Sequence, residues 1–568
     1  MAENNEKKRV YGIDLGTTYS AISFINDDGK PEIIPNSDNE RITPSVVFFE
    51  EPSEEGKVGN VIVGKIAKES ARTDPNRVIT FVKQEMGTGW TKELDGITLN
   101  PEKVSSYILR RLAGDAKTCA NHDVQDVIIT CPAYFGDAER KATKAAGEIA
   151  GLNVLQIIDE PVAAAMHYGL NKANGEGDRT AIVYDLGGGT FDVTVIAIEK
   201  GNVRVVCSDG NHRLGGKNWD ERVVDYFASK FAEATGTDKD AVLGDTDTLY
   251  DLQLQAEIAK QTLTMRASAK VKVAFEGNTE RIEITREQFD EMTKDLLDQT
   301  VELTQKMFDL AATKGVTKIN DFLLVGGSTR MPQVMAMVKE QFASRVDTEP
   351  ASFEVDEAVA KGAATFGNVK SVQAEIKEET VRRTDELIKE GASKEEAEAR
   401  AEEDAIKKVA DDQGLTLEAV KDLNKVIATT VASRSYGIRV LKAGQPVVFN
   451  MLKKQDQVPT SYEREFPVSD DNAEKLPLQV FANNVLESVA QLEESATVGD
   501  AVMMLPPGTP KGAMIRIKFT LTEEGVLSLD ATDVASGTPV HAEFEAKDGL
   551  TKEQIEAARK ETADLVIE

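Results

Sequence analysis

Cysteine and histidine are scarce in this chain of 568 residues. The three cysteines, Cys119, Cys131 and Cys207, stand far apart, and the four histidines form no HExxH pattern. That spacing argues against a disulfide framework and a structural zinc site, and leaves the cysteines as small core residues. Long apolar runs are missing as well: none reaches the ~20 residues that cross a bilayer. The start, MAENNEKKRV, has no signal-peptide core, so the expected location is cytoplasmic, with no membrane partner. Basic residues are in deficit, 67 Lys and Arg against 97 Asp and Glu, for a net charge of −30. Nucleic acid is therefore not an expected partner, because a phosphate backbone needs a basic surface.

What is present is a globular composition, 41% hydrophobic and 29% charged, in a chain too long for one core. Its most informative feature is a recurrence. DLGTTYS, from Asp14 to Ser20, and DLGGGTFDV, from Asp185 to Val193, each follow one β-branched apolar run and precede another, so each reads as a hairpin turned by glycine. Glycine lets backbone N–H groups approach an anion, threonine hydroxyls add donors, and aspartates can hold a hydrated Mg²⁺. Each segment alone also reads as an ordinary Gly-rich turn. Two in the same strand-turn-strand frame predict a clamp on a polyphosphate.

From Val10 to about Val369, β-rich runs alternate with helical stretches, the pattern of an α/β fold. The helix over Ala138–Ala150, the strand Val154–Ile158 and a helix opening at Pro161 look like the start of a second lobe. The expected architecture is a duplicated α/β fold with nucleotide between its halves. Residues 370–425 turn Glu-, Ala- and Lys-rich without proline. They predict two or three short helices broken near Gly391 and Gly414, with a partial apolar stripe of Val381, Leu387, Ile388, Ile406 and Val409. Their composition leaves docking and a solvated spacer both open. From Tyr436 the period drops to about two, the mark of an antiparallel sandwich. A final helix is expected from Thr551, capped with Gln554, to the last residue, Glu568.

The two hairpins, with CPAYFGDAERKAT from Cys131, DEPVAAAMHYGL from Asp159, HRLGGKNWD from His212 and LLVGGSTRMPQV from Leu323, resemble the 70-kDa heat-shock protein (DnaK-type) chaperones. The resemblance implies an actin-like ATPase domain over residues 1–369, an acidic helical insertion over 370–425 and an interdomain linker over 426–435. A β-sandwich peptide-binding domain over 436–548 and a truncated lid helix over 549–568 follow. It implies an ATP-dependent chaperone that hydrolyses ATP to ADP, slowly and stimulated by partners, and transiently binds extended segments of unfolded polypeptide. ATP/ADP and Mg²⁺, with K⁺ as an additional ion, would be its cofactors, and a J-domain co-chaperone and a nucleotide-exchange factor its partners.

Carried over by position, the resemblance gives Asp14, Lys83, Glu160, Thr190 and Asp192 catalytic roles, with Asp14, Asp185 and Glu160 ordering the metal mostly through water. Nucleotide contacts fall to Gly16, Thr17, Thr18, Tyr19, Asp185, Gly187, Gly188, Gly189, Gly215 and Gly216. Further contacts come from Glu257, Lys260, Thr264, Gly326, Gly327, Ser328, Arg330 and Asp356. Ile438, Leu441, Phe466 and Leu476 would line a peptide groove, a role that plain sandwich core competes with at each position. Pro132 and Arg140 would relay nucleotide state, although Pro132 also reads simply as a strand terminator.

The chain departs from that family in places. Lys217 and Asn218 stand where Glu-Asp is usual, Gln261 where relatives stack a base, and Asp159 where Asn is common. The linker, VIATTVAS from Val426, is less apolar than its counterparts, which points to altered coupling. A lid reduced to one helix implies fast peptide release. These departures keep a second expectation open, an ATP-switched scaffold with one dedicated partner. A sugar or acetate kinase of the same fold is a remote third.

Overall fold

The computed structural model describes residues 9–52, 59–172, 178–199, 202–469, 471–523, 525–537, 539–540, 542–546, 549–563 and 565–568. The leader-free start expected at residues 1–8 lies outside them. Strand Val10–Asp14 pairs antiparallel with Tyr19–Ile25 and parallel with Asp126–Cys131. Asn153–Asp159 and Pro31–Ile33 extend that sheet on its two sides. Arg179–Leu186 repeats the plan: it is antiparallel to Phe191–Glu199, which pairs with Asn202–Asn211, and parallel to Asp321–Val325, beside Ala351–Ser352. Asp126–Cys131 is buried along its whole length, as a parallel strand covered on both faces must be.

Each sheet has its own core on its outer face, and a third core lies between them. The third is built on two helices, Glu160–Lys172 and Ala358–Lys389. These approach so closely that a β-carbon on Gly362 would lie 1.7 Å from the Ala163 carbonyl oxygen. Glycine is therefore a packing requirement there.

The expected short helices over 370–425 are corrected in one respect. The first is the end of the 32-residue helix Ala358–Lys389, which runs straight through position 369. Lys394–Gln413 and Leu417–Lys425 follow, after breaks where Gly391 and Gly414 take φ of 99° and 68°. The stretch packs on itself: Val372, Ile376, Ala405, Ile406, Val409, Ala410 and Val420 form a core of their own, and Leu423 also reaches the core between the lobes. Leu387 is buried too, whereas Val381 and Ile388 of the expected stripe are exposed. Beyond it the linker strand Ala428–Val431 adds in parallel to the free edge of Asn202–Asn211 and antiparallel to Gln457–Val458 of the sandwich. Its entry is set by Gln373, whose side-chain amide donates to the carbonyls of Leu423, Asn424 and Val426 at 3.3, 3.4 and 2.9 Å.

The C-terminal domain packs a six-stranded and a four-stranded sheet around Ile438, Val480, Met503, Ile515, Ile517 and Phe519. The alternation read from the sequence is realised in Met514–Leu521, where every second side chain is buried.

The last segment differs from expectation. Thr551 and Gln554 cap its helix reciprocally, but the helix is Lys552–Ala563, not a helix to Glu568. It lies against the first lobe, not over the sandwich. Glu561 pairs with Lys103 at 2.9 Å, Arg110 donates to the carbonyls of Thr562 and Leu565, and Leu565 and Ile567 pack on the first lobe's core. Residues 566–568 pair with Val61–Val63 through three backbone hydrogen bonds of 2.8–3.1 Å. The β-branched pair Val566–Ile567 favours this extended conformation over another helical turn. Ile567→Asp places a carboxylate in that contact and is expected to weaken docking by about 1–3 kcal/mol. Amide exchange over 552–563 should then rise by about five- to 100-fold, and unchanged exchange would show that the terminal strand does not hold the helix.

Candidate active site

Both hairpins form where the glycines stand. Asp14 ends its strand opposite Ala21, and Asp185, one residue before its strand ends at Leu186, lies directly opposite Asp192. The two loops face each other across a cleft of about 1300 Å³. A β-carbon on Gly188 would lie 2.3 Å from the Thr18 side chain, and one on Gly189 would lie 2.6 Å from the Thr17 side chain. The loop tips interlock because these residues have no side chains.

Asp14, Gly16, Thr17, Thr18 and Tyr19 of the first hairpin line the cleft with Asp185, Gly187, Gly188 and Thr190 of the second. Gly189, Asp192, Gly215 and Gly216 do not line it. Lys83 enters on the 3₁₀ turn Val82–Glu85; its side chain is 5% exposed and its Nζ lies 2.5 Å from Glu160 Oε1. Burial alone would lower the lysine, but Glu160 and Asp14 hold its ammonium above the ordinary range. The acids are driven the other way. Burial, then Glu160, push Asp14 up to about 7, and burial followed by the same neighbour raises Asp185 and Asp192 well above the carboxylate range. Asp192 Oδ1 is buried without a hydrogen-bond partner among the described residues. One buried ammonium faces four acids, so the site is built for added positive charge.

The opposite wall is the helix Thr246–Met265 and the turn Gly327–Arg330. Lys260 donates to the Gly216 carbonyl at 2.9 Å and pairs with Asp220 at 2.7 Å. Ser328 donates to the Gly187 carbonyl at 2.9 Å, and Arg330 pairs with Asp356. Glu257 accepts from Tyr19 at 3.2 Å and pairs with Lys68 at 2.6 Å, tying the two lobes at the cleft mouth. Thr264, Gly326 and Gly327 also line the cleft.

A family model described as "Hsp70 protein" matches residues 10–95, 90–383 and 380–566. The chain belongs to the Hsp70 family. This Hsp70 chain is 33% identical over 566 residues, 98% of its length and 83% of theirs, to proteins named Chaperone protein DnaK from Thermotoga petrophila, Thermotoga maritima and Thermotoga neapolitana.

In this Hsp70 chain Pro132 and Arg140, the positions expected to relay nucleotide state, sit under the linker. Arg140 forms a buried ion pair with Asp159, to which Thr430 of the linker strand also donates. Burial opposes the guanidinium's charge, and Asp159 raises it above its ordinary value despite that. Pro132, also buried, precedes the turn whose Phe135 carbonyl accepts from Arg140 at 3.0 Å and from Ser433 at 3.1 Å. Arg434 pairs with Glu139 at 2.6 Å. Asp159 thus supplies the buried partner of Arg140.

The four peptide positions are not brought together on one surface. Ile438 is 2% exposed in the sandwich core, Phe466 and Leu476 pack at the margin of that core, and Leu441 is 73% exposed. Sequence reasoning missed Thr130, which donates to Asp14 at 3.2 Å, and also Lys68, Gln84 and Asp220. Burial pushes Asp220 up to about 6 despite Lys260. None of these lies in a glycine-marked motif except Asp220, the residue that closes HRLGGKNWD; the others are assembled by folding alone.

Proposed function

We propose that this Hsp70 chain is an ATP-dependent molecular chaperone, which hydrolyses ATP to ADP and phosphate between its lobes and transiently binds extended segments of unfolded polypeptide. The observation that carries the reading is the facing pair of interlocked glycine hairpins with the buried Lys83–Glu160 pair beside them. The hairpin N–H groups and the hydroxyls of Thr17, Thr18 and Thr190 hold the phosphates. Lys83 orients the attacking water and Glu160 accepts a hydrogen bond from it, with Asp192, buried opposite Asp185 in the second hairpin, as the further carboxylate of the proposed set. Phosphoryl transfer asks mainly for positioning and charge neutralisation. The excess of acids fits Mg²⁺, which would be held by Asp14, Asp185 and Glu160 mostly through water and would neutralise phosphate charge; K⁺ belongs to the same expectation. Adenosine fits between Arg330 with Asp356 and Glu257 with Lys260.

The docked linker strand supports coupling: nucleotide binding at the second hairpin and linker pairing at Asn202–Asn211 act on one sheet. Leu441, Phe466, Leu476 and Ile438 are the proposed peptide-contacting set, of which Leu441 is exposed and Ile438 is buried in the sandwich core. A J-domain protein, a nucleotide-exchange factor and a cytoplasmic location belong to the same proposal. The alternative, an ATP-switched scaffold with a dedicated partner, is favoured by one observation, the C-terminal helix pinned to the first lobe. ATP turnover measured with and without an extended apolar peptide, together with suppression of aggregation of an unfolded protein, separates them. A chaperone is expected to respond in both assays. Steady turnover that ignores peptide, with no effect on aggregation, would favour the scaffold.

A further inference from the structure

The turn that carries Lys83 belongs to the first lobe, yet its neighbours in sequence are fastened to the second. Gln84 spends its side-chain amide on two carbonyls of that lobe, Gly189 at 2.9 Å in the second hairpin and His212 at 3.3 Å ahead of the Gly215–Gly216 step. Phe81 takes a left-handed φ of 56°, a conformation that costs a non-glycine residue energy unless its surroundings enforce it. Lys217, from the first turn of the second lobe's helix Gly216–Thr235, places its Nζ 4.5 Å from the Phe81 ring centroid, within cation–π range. Two contacts therefore cross the cleft on either side of Lys83 in sequence.

We propose that Gln84 and Lys217 form a cross-cleft staple that fixes the Phe81–Gln84 turn to the second lobe and so positions the Lys83 ammonium beside Glu160, where it orients the water that attacks the terminal phosphate. The inference rests on the ATPase reading and goes beyond it: both are positioning residues, acting through Lys83. A staple of this kind links the second hairpin's seating to the amine, because the carbonyl that Gln84 holds belongs to Gly189, next to Thr190. When the hairpin is displaced, the amine moves with it. Displacements of about 1 Å at such groups cost up to about 100-fold in rate.

The test uses the full chain and four variants, Gln84→Ala, Lys217→Met, Lys217→Arg and Lys83→Ala, with Gln84→Ala also combined with Lys83→Ala. Single-turnover ATP hydrolysis is measured beside amide exchange over residues 81–86 without nucleotide. Gln84→Ala and Lys217→Met are each expected to slow hydrolysis about tenfold and to speed exchange over 81–86. Lys217→Arg, which keeps a cation over the ring, should stay within about threefold of the wild type. On the Lys83→Ala background Gln84→Ala should add less than about twofold, since a residue that acts through a missing amine has nothing left to position. Unchanged exchange over 81–86 in both variants, or a full tenfold loss that persists without Lys83, would overturn the staple. Absence of hydrolysis by the wild type would refute the ATPase reading alone, and the exchange comparison would still decide whether the turn is held across the cleft.

Discussion

Lys83→Ala should lower ATP turnover by at least about 100-fold while leaving nucleotide binding in place. The side chain is buried, charged and 2.5 Å from Glu160, and removal of a group that orients a nucleophile or neutralises transition-state charge costs about 10²–10³ in rate. Binding should survive because the hairpin backbones, the threonines and the adenosine wall remain. Thr190→Ala is the companion variant, expected to lose most hydrolysis and to keep nucleotide without unpairing a buried charge. Lys83→Ala does unpair one: it leaves Glu160 beside Asp14 and Asp185, and loss of one partner from a buried pair costs about 3–5 kcal/mol. A thermal melt therefore belongs beside the kinetics. Wild-type turnover in a folded Lys83→Ala protein would remove the amine from the mechanism, and loss of nucleotide binding in Thr190→Ala would assign that hydroxyl to affinity instead.

Arg140→Ala should undock the linker. Asp159 is almost fully buried and is held by Arg140 and Thr430; without the guanidinium its charge stands uncompensated between the first lobe and the linker. A cost of about 3 kcal/mol falling on the docking equilibrium is a factor of about 100. Exchange at residues 428–431 should accelerate by that order, and the sandwich should lose its contacts through Arg434 and Ser433. Asp159→Asn on the Arg140→Ala background should recover part of the loss, because the neutral amide removes the orphaned charge. If the double variant is no better than Arg140→Ala alone, the linker senses the arginine's other contact, the Phe135 carbonyl, and not the ion pair.

The phosphate hairpins, the alternation of the sandwich and the glycine breaks at Gly391 and Gly414 were legible in the sequence because each depends on residues close together in the chain. A turn needs its glycine within a few positions, and a half-buried strand shows its period directly. The proposed catalytic acids and Lys83 came from motif positions, and folding brings them together from four separate stretches. Other features carry no local mark. Gln84 and Lys217 are separated by most of a lobe, so nothing in either neighbourhood announces that they flank Lys83. The C-terminal helix misled because capping chemistry marks where a helix starts, not where its far end is captured by a strand edge at Val61–Val63.

By itself, then, the amino-acid order determined the turn chemistry, the strand and helix periods, the surplus of acid and the kind of ligand such turns can hold, since these follow from backbone preference and composition. Only the tertiary structure decided which acid meets which base, that Asp159 is the counter-ion of Arg140, that the linker completes a sheet edge, and that the last residues close on the first lobe. Those outcomes depend on burial and on distances between remote segments, where desolvation makes each pairing decisive and sequence separation hides it.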